Sequence, residues 1–304
     1  MKLDVHGTAF ELLIPEDSEQ ARIFKAVFER NGQYEAVMSA LLARMLSRLE
    51  APVFADLGAF IGYYTAYAGR LLAGRGRVLA VESNPRYAEL LEAMVRSNGL
   101  DNTEVFHAAL SDRSETLWAE GTTLHDGSGR NEVVFATLPE HVSSRGGRIP
   151  GVEGEAAAVA TTTLDDLCAR AGIAPTIAKM DVHGTEGRVL GGMRRLLAGP
   201  LDCLLLELHS NAYLRKYSPG CDREAILDLL DAAGLAVSLV AGHRYTWSDG
   251  LLAFRETGRF SWRPVNSTTR DLLLFDRTSD ALIVATRRPL AEMIGTSEDS
   301  ALPI

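Results

Sequence analysis

Two apolar runs in this sequence end in side chains that could move a proton or hold a metal. The run Ile177–Asp181 ends in a carboxylate, with His183 two residues further on. The run Leu201–Leu208 carries Glu207 near its end and His209 directly after it. Three chemistries fit this set. Asp181, His183, Glu207 and His209 could bind a divalent metal that acidifies a substrate hydroxyl, and mixed carboxylate and imidazole ligands suit Mn, Fe, Co or Zn better than Mg. Without a metal, His183 or His209 could act as general base, because imidazole titrates near neutral pH. In a purely structural reading they form a hydrogen-bonded cluster, and the reaction runs on proximity and alignment. All three stay open, and Asp181 is the first residue expected to take part.

A second constellation lies upstream. Val53-Phe54-Ala55-Asp56-Leu57-Gly58-Ala59-Phe60-Ile61-Gly62 reads as a strand, an acid, a glycine turn and a helix start. Glycine lets the backbone turn tightly and a ligand approach closely. An acid at the strand end suits a cationic ligand group, whereas a pyrophosphate prefers bare helix N–H groups. S-adenosylmethionine carries an ammonium and a sulfonium. The strand Val78–Glu82 then ends in a second carboxylate, 26 residues after Asp56, placed to accept hydrogen bonds from both ribose hydroxyls of a nucleotide. An NAD-dependent oxidoreductase would share that acid. Against it, the turn lacks G-x-G-x-x-G, since position 60 is Phe and position 63 is Tyr.

These residues need a scaffold, and the chain supplies one. Residues 1–16 alternate weakly, as in a short hairpin, and residues 17–49 carry apolar residues at helical spacing, broken at Asn31-Gly32. Strands and helices then alternate. Strands are expected at Val53–Leu57, Val78–Glu82, Val105–Ala109, Ile177–Asp181, Leu201–Leu208, Leu235–Val240 and Ala281–Thr286. Helices are expected at about Gly62–Leu72, Pro85–Arg96, Thr163–Ala171, Thr185–Leu197 and Asp222–Ala232. This order implies a doubly wound α/β fold with a mostly parallel sheet. The first and fourth strands are then neighbours at the switch point, with the fifth beside the fourth, so both constellations meet outside the strands' carboxyl ends. Two stretches, 113–160 and 242–276, are too long for ordinary connections and read as insertions. The aromatics from Trp247 to Trp262 would be a hydrophobic plug or a wall of an acceptor pocket. Residues 291–304 read as a flexible tail.

With 304 residues, 46% of them apolar, the chain can bury a full core. Its net charge of −9 argues against a nucleic-acid groove, which is basic. Cys168, Cys203 and Cys221 follow no metal spacing and fit a reducing compartment. No signal-like segment or run of about 18 apolar residues occurs, so a cytoplasmic protein away from membranes is expected. His6, His125, His141 and His243 have no partners in sequence and read as surface or loop residues.

Five motifs in order carry a family resemblance: Asp56–Thr65, Val81–Pro85, Ala108–Asp112, Thr163–Leu167 and Lys179–Glu186, with Tyr34-Glu35 upstream. Across residues 20–240 the chain resembles the FkbM family of class I S-adenosylmethionine-dependent methyltransferases. The resemblance implies a Rossmann-like, seven-stranded sheet with an antiparallel last strand, behind an N-terminal cap of residues 1–50. It implies that Asp56, Gly58, Ala59, Phe60, Ile61 and Gly62 hold the methionine part of the cofactor. Glu82 and Ser83 would meet its ribose, His107, Ala108 and Ala109 would lie beside its adenine, and Asp181 would border it. The family usually has Asn at the place of Phe60 and Glu at that of His183; the first change reshapes the cofactor loop, and the second falls at the reaction end. The implied reaction is O-methylation of a small natural product or sugar hydroxyl, and the strand ends described above offer Asp181, His183 and His209 as its catalytic groups. A cofactor-binding partner without turnover and an NAD-dependent oxidoreductase are the other classes that stay open. The oligomeric state stays open, a homodimer included.

Overall fold

The structure, a computed structural model, describes residues 1–114, 116–119, 135–136, 157–242, 260–274 and 280–295. Strands β1 (Lys2–Val5) and β2 (Thr8–Glu11) form a hairpin whose turn residues His6 and Gly7 both take positive φ, as tight hairpins of right-handed twist require. Helix α1 (Glu19–Asn31) starts where Ser18 Oγ accepts the Ala21 N–H at 3.2 Å, and it stops at Gly32. Helix α2 (Ala36–Arg48) buries Val37, Leu41 and Met45 on one face of the main sheet, among Phe54, Cys203 and Leu205.

The alternation expected from the sequence follows. It runs β3 (Val53–Leu57), α3 (Tyr63–Leu71), β4 (Arg77–Glu82), α4 (Pro85–Ser97) and β5 (Thr103–His107). Asn84 caps α4 by accepting from Arg86 and Tyr87 N–H, and Pro85 sits at its first turn. The apolar pattern predicts a third strand reaching Ala109. Instead the chain leaves the sheet at His107, and β6 (Ala109–Leu110) joins a smaller sheet with β7 (Thr116–Ala119), β8 (Phe135–Ala136) and β9 (Ala157–Thr162).

The second half runs α5 (Leu164–Ala171), β10 (Ile177–Met180), α6 (Glu186–Gly191), α7 (Arg194–Ala198) and β11 (Cys203–His209). The periodicity predicts a single helix over 185–197, but the helix breaks after Gly191. A Cβ on Gly192 would lie 2.1 Å from the Ser111 carbonyl oxygen, so the close approach of that loop excludes any larger residue there. Next come α8 (Asn211–Tyr217), which the apolar periodicity does not reveal, α9 (Arg223–Ala232) and β12 (Ala236–Val240). The described part ends with β13 (Trp262–Pro264), α10 (Ser267–Leu274), β14 (Asp280–Thr286) and α11 (Leu290–Ile294).

The main sheet has the order β13-β12-β14-β11-β10-β3-β4-β5. Strands β11, β10, β3, β4 and β5 are mutually parallel, and β14 runs antiparallel between β11 and β12. This is the expected seven-stranded arrangement, with β13 added as an eighth strand at the edge. One sheet face packs on the hairpin, α2, α3 and α4; the other packs on α5, α6, α7 and α9.

One expectation changes here, and two are made definite. Residues 291–294, read as the start of the flexible tail, belong to the helix Leu290–Ile294, whose Leu290, Met293 and Ile294 are buried, with Arg48 Nε donating to the Glu292 carbonyl. Phe260 and Trp262 belong to the core, as in the plug reading, and do not line the cavity described below. His6 is an exposed turn residue, as expected, and its Nδ1 lies 2.9 Å from the Tyr67 hydroxyl in a hydrogen bond. His125, His141, His243, Trp247 and most of both expected insertions lie outside the described residues. Among the described residues, no helix is long and apolar enough to cross a membrane.

Candidate active site

A cavity of about 660 Å³ opens beyond the carboxyl ends of β3, β4 and β10, where the sheet reverses its winding. Ligands of doubly wound sheets bind at such a point. Its floor is the loop 58–61, β4 contributes Glu82 and Ser83, and the segment after β10 contributes Asp181 and His183. The N-terminal helices close it from above with Phe24, Tyr34 and Glu35.

The floor is built by close approach. Gly58 has φ +77°, and a Cβ there would stand 2.0 Å from the Asp181 carbonyl oxygen. The N–H groups of Gly58 and Ala59 both donate to the Val81 carbonyl at 3.0 Å, which draws the loop over the end of β4. Phe60 N–H then donates to Glu82 Oε2 and Asn84 N–H to Glu82 Oε1, each at 2.8 Å. Two amides thus hold the Glu82 carboxylate on the cavity wall, with lone pairs left for a ligand. Burial raises its pKa, against the lowering effect of the two amides.

Asp56 is placed differently from its expected role. It is fully buried beneath the floor, accepts a 2.7 Å hydrogen bond from Thr65 and lies 3.5 Å from Lys179 Nζ. It does not line the cavity; Lys179 does. Lys179 also donates to the Gly58 carbonyl at 3.2 Å and lies over the Tyr64 ring. Burial disfavours its charge, but Asp56, Asp181, Glu35 and Glu207 around it outweigh that and raise its pKa. Glu35, at the start of α2 with φ 43°, faces the same space and accepts a 2.6 Å bond from the Tyr64 hydroxyl. Glu35, from the cap, is thus a carboxylate on the wall where Asp56 is not, and a cation stands beside it. In the sequence Glu35 is only part of a motif. The signal for Lys179 is legible, since a lysine inside an apolar strand must be paired.

Of the other expected cofactor residues, Gly58, Ala59, Phe60, Ile61, Ser83, Ala108 and Asp181 line the cavity. Gly62, His107 and Ala109 do not. Gly62 caps α3, Ala109 pairs with Thr161 in the smaller sheet, and His107 Nε2 lies 3.1 Å from the Ser83 carbonyl.

At the reaction end Asp181 and His183 come together, with His209 directly behind. His183 Nδ1 lies 3.3 Å from His209 Nε2 and 3.9 Å from Asp181 Oδ1. His209 is buried, its ring stacked on Tyr213 and its Nδ1 2.6 Å from Glu186 Oε1. Burial works against a charge on His209, but Glu186, with Glu207 and Asp181 nearby, overcomes it and pushes the pKa up to about 10. The expected four-residue set divides: Asp181, His183 and His209 group together, whereas Glu207 groups with His209 and Asp280 further inside. Nothing in the linear pattern marks Glu186 or Asp280 as partners of this group.

This topology is that of the class I methyltransferase fold, a doubly wound sheet whose ligands bind at the strand ends. Residues 56–234 match the family described as Methyltransferase FkbM domain, and the chain belongs to that family of S-adenosylmethionine-dependent methyltransferases. No curated relative matches the sequence. Among solved structures, the chain is similar to a methyltransferase FkbM from Methylobacillus flagellatus, at 16% identity and a TM-score of 0.45, with 90% of this chain and 56% of that one covered. The chain thus spans little more than half the length of that protein. It is also similar to cofactor-bound Rv0187 from MTB, at 13% identity, TM-score 0.44, and 90% and 91% coverage. A third similarity is to Aeropyrum pernix fibrillarin with natively bound S-adenosyl-L-methionine, at 15% identity, TM-score 0.37, and 82% and 74% coverage.

Proposed function

We propose that the protein is an O-methyltransferase acting on a hydroxyl of a small natural product or sugar. The observation that carries this reading is the pair Asp181 and His183 on the cavity wall at the end of β10, backed by the buried His209 and Glu186. A hydroxyl must lose its proton to become a good nucleophile, and a carboxylate with an imidazole supplies the polar contacts for that. The cavity volume lies in the range of small-molecule sites. A cytoplasmic location belongs to the same reading and is supported by the three free thiols.

S-adenosylmethionine, when bound, supplies a methyl group on a sulfonium. The wall fits it: Glu82 presents a fixed carboxylate for paired hydroxyls, Glu35 and Lys179 present opposite charges for an amino acid's two ends, and Phe60, Ile61 and Ala108 give an apolar surface. Asp181 and His183 receive the acceptor oxygen, and the cap helices exclude water from the space between.

The test is incubation with labelled S-adenosylmethionine and a panel of hydroxyl-bearing small molecules, with S-adenosylhomocysteine release followed. Transfer to at least one acceptor, abolished in Asp181→Asn, is expected. Transfer only to amines, or cofactor binding with no turnover on any acceptor, would overturn the reading.

A further inference from the structure

Two imidazole nitrogens that face each other need a proton or a metal ion between them, since two lone pairs repel. His183 Nδ1 and His209 Nε2 face each other at 3.3 Å, and Asp181 Oδ1 completes a group whose ligand atoms all lie within 4.8 Å of one another. A proton joins two such atoms, whereas a metal ion joins all three. We infer that Asp181, His183 and His209 form a binding site for one divalent transition-metal ion, whose remaining positions open to the cavity and accept a substrate hydroxyl. The metal site stands on geometry alone; its use for a hydroxyl rests on the O-methyltransferase reading.

The spacing is that of a metal site. Nitrogen and oxygen ligands about 2.1 Å from an ion lie roughly 3.0–3.4 Å apart around it. The two imidazoles already satisfy this. Asp181 Oδ1 stands 3.9 Å from His183 Nδ1 and within 4.8 Å of His209 Nε2, so it closes on the ion by a side-chain torsion.

The outer contacts agree. A ligating histidine commonly gives its other nitrogen to a carboxylate, which fixes ring and tautomer. His209 Nδ1 has that partner in Glu186 at 2.6 Å, and Glu186 is itself held by the Gly184 N–H at 3.0 Å. Tyr213 stacks on the His209 ring and stops it from turning. His183 stands on a left-handed backbone, φ 51°, a conformation that costs a non-glycine residue energy and gathers at functional sites.

Access decides between the two possible groupings. Glu207, His209 and Asp280 also lie close together, but Glu207 and His209 are buried and neither lines the cavity, so an ion there would have no position for a substrate. Asp181 and His183 line the cavity and leave one side open. Glu186, Glu207 and Asp280 stand close by, with Lys179 and Arg223 as the neighbouring cations. Two imidazoles and one carboxylate select Mn, Fe, Co or Zn over Mg or Ca. Such an ion lowers the pKa of a bound hydroxyl.

The test uses the full chain, stripped with a chelator and titrated calorimetrically with Mn²⁺ and, separately, with Zn²⁺. One ion per chain is expected for at least one metal, with affinity at least tenfold weaker in His183→Ala. His183 is one-third exposed, so this variant should keep the fold, checked by circular dichroism. Glu186→Gln, which keeps the ligands and loses the carboxylate behind them, should weaken binding about tenfold or more. No saturable uptake of either metal, or uptake unchanged in His183→Ala, overturns the site. S-adenosylhomocysteine is titrated into the same stripped samples. Its binding without metal uptake removes the metal site alone, whereas absence of both removes the methyltransferase reading too.

Discussion

Lys179 Nζ lies 3.5 Å from Asp56 Oδ1, with both side chains buried between the floor of the cavity and the core. The two residues sit on neighbouring parallel strands and face each other in register. The strand-end acid is therefore a structural partner of the lysine, and the lysine brings positive charge to the cavity wall. Removing one member of a buried pair leaves the other uncompensated. Lys179→Met should cost about 3–5 kcal/mol of stability, read from urea unfolding. Lys179→Met combined with Asp56→Asn should recover much of that loss. A single variant as stable as the wild type would show that the pair is not what holds the strand ends together.

Glu35 connects the cap to the cofactor end. If it receives an ammonium group, Glu35→Gln should weaken S-adenosylhomocysteine about tenfold, the loss of one charge-assisted hydrogen bond. The amide still accepts from the Tyr64 hydroxyl, so the melting temperature should hold. Equal affinities by calorimetry would assign the ammonium to another group.

Glu82 gives a pH dependence of opposite sign for folding and for binding. Burial raises its pKa in the folded state, so burying its charge costs stability at neutral pH. That cost is relieved as pH falls through the raised folded value towards the unfolded one. Ribose recognition needs the carboxylate, so cofactor affinity falls over the same window. Titrations with S-adenosylhomocysteine between pH 7 and about 4 should therefore show affinity dropping above the ordinary glutamate pKa of about 4.3. In Glu82→Gln the affinity should be at least tenfold lower at pH 7 and flat with pH. A wild-type curve as flat as the variant's would deny the ribose role.

Gly58 is where two loops touch. At φ +77°, a Cβ on this residue would come within 2.0 Å of the Asp181 carbonyl oxygen. Gly58→Ala must therefore displace either the floor or the strand end that carries Asp181 and His183. Backbone strain of this kind costs about 1–3 kcal/mol before the clash is counted. Both the melting temperature and cofactor affinity should fall together. An alanine variant that binds normally would mean the two loops can separate freely.

The sequence by itself determined the elements and their order. Asn84-Pro85, Thr163 and Asn31-Gly32 are local stop and start signals, and their physics acts within one helical turn. The apolar runs of β3, β4, β10 and β11 specified the parallel sheet, and with it the meeting of Glu82, Asp181 and His183 at one edge. Only the tertiary structure decided which carboxylate does what. Asp56 and Glu35 are both acids near a strand or helix end, but Lys179, brought alongside through the strand pairing, occupies the first and leaves the second on the wall. His209 could have been a surface ligand from its spacing alone; its burial against Glu186 and Tyr213 comes from α6 and α8 folding over the end of β11. The reason is common to both cases. Periodicity and capping are encoded in neighbours along the chain, whereas the charge state and partner of a buried side chain depend on groups that only packing brings within a few ångströms.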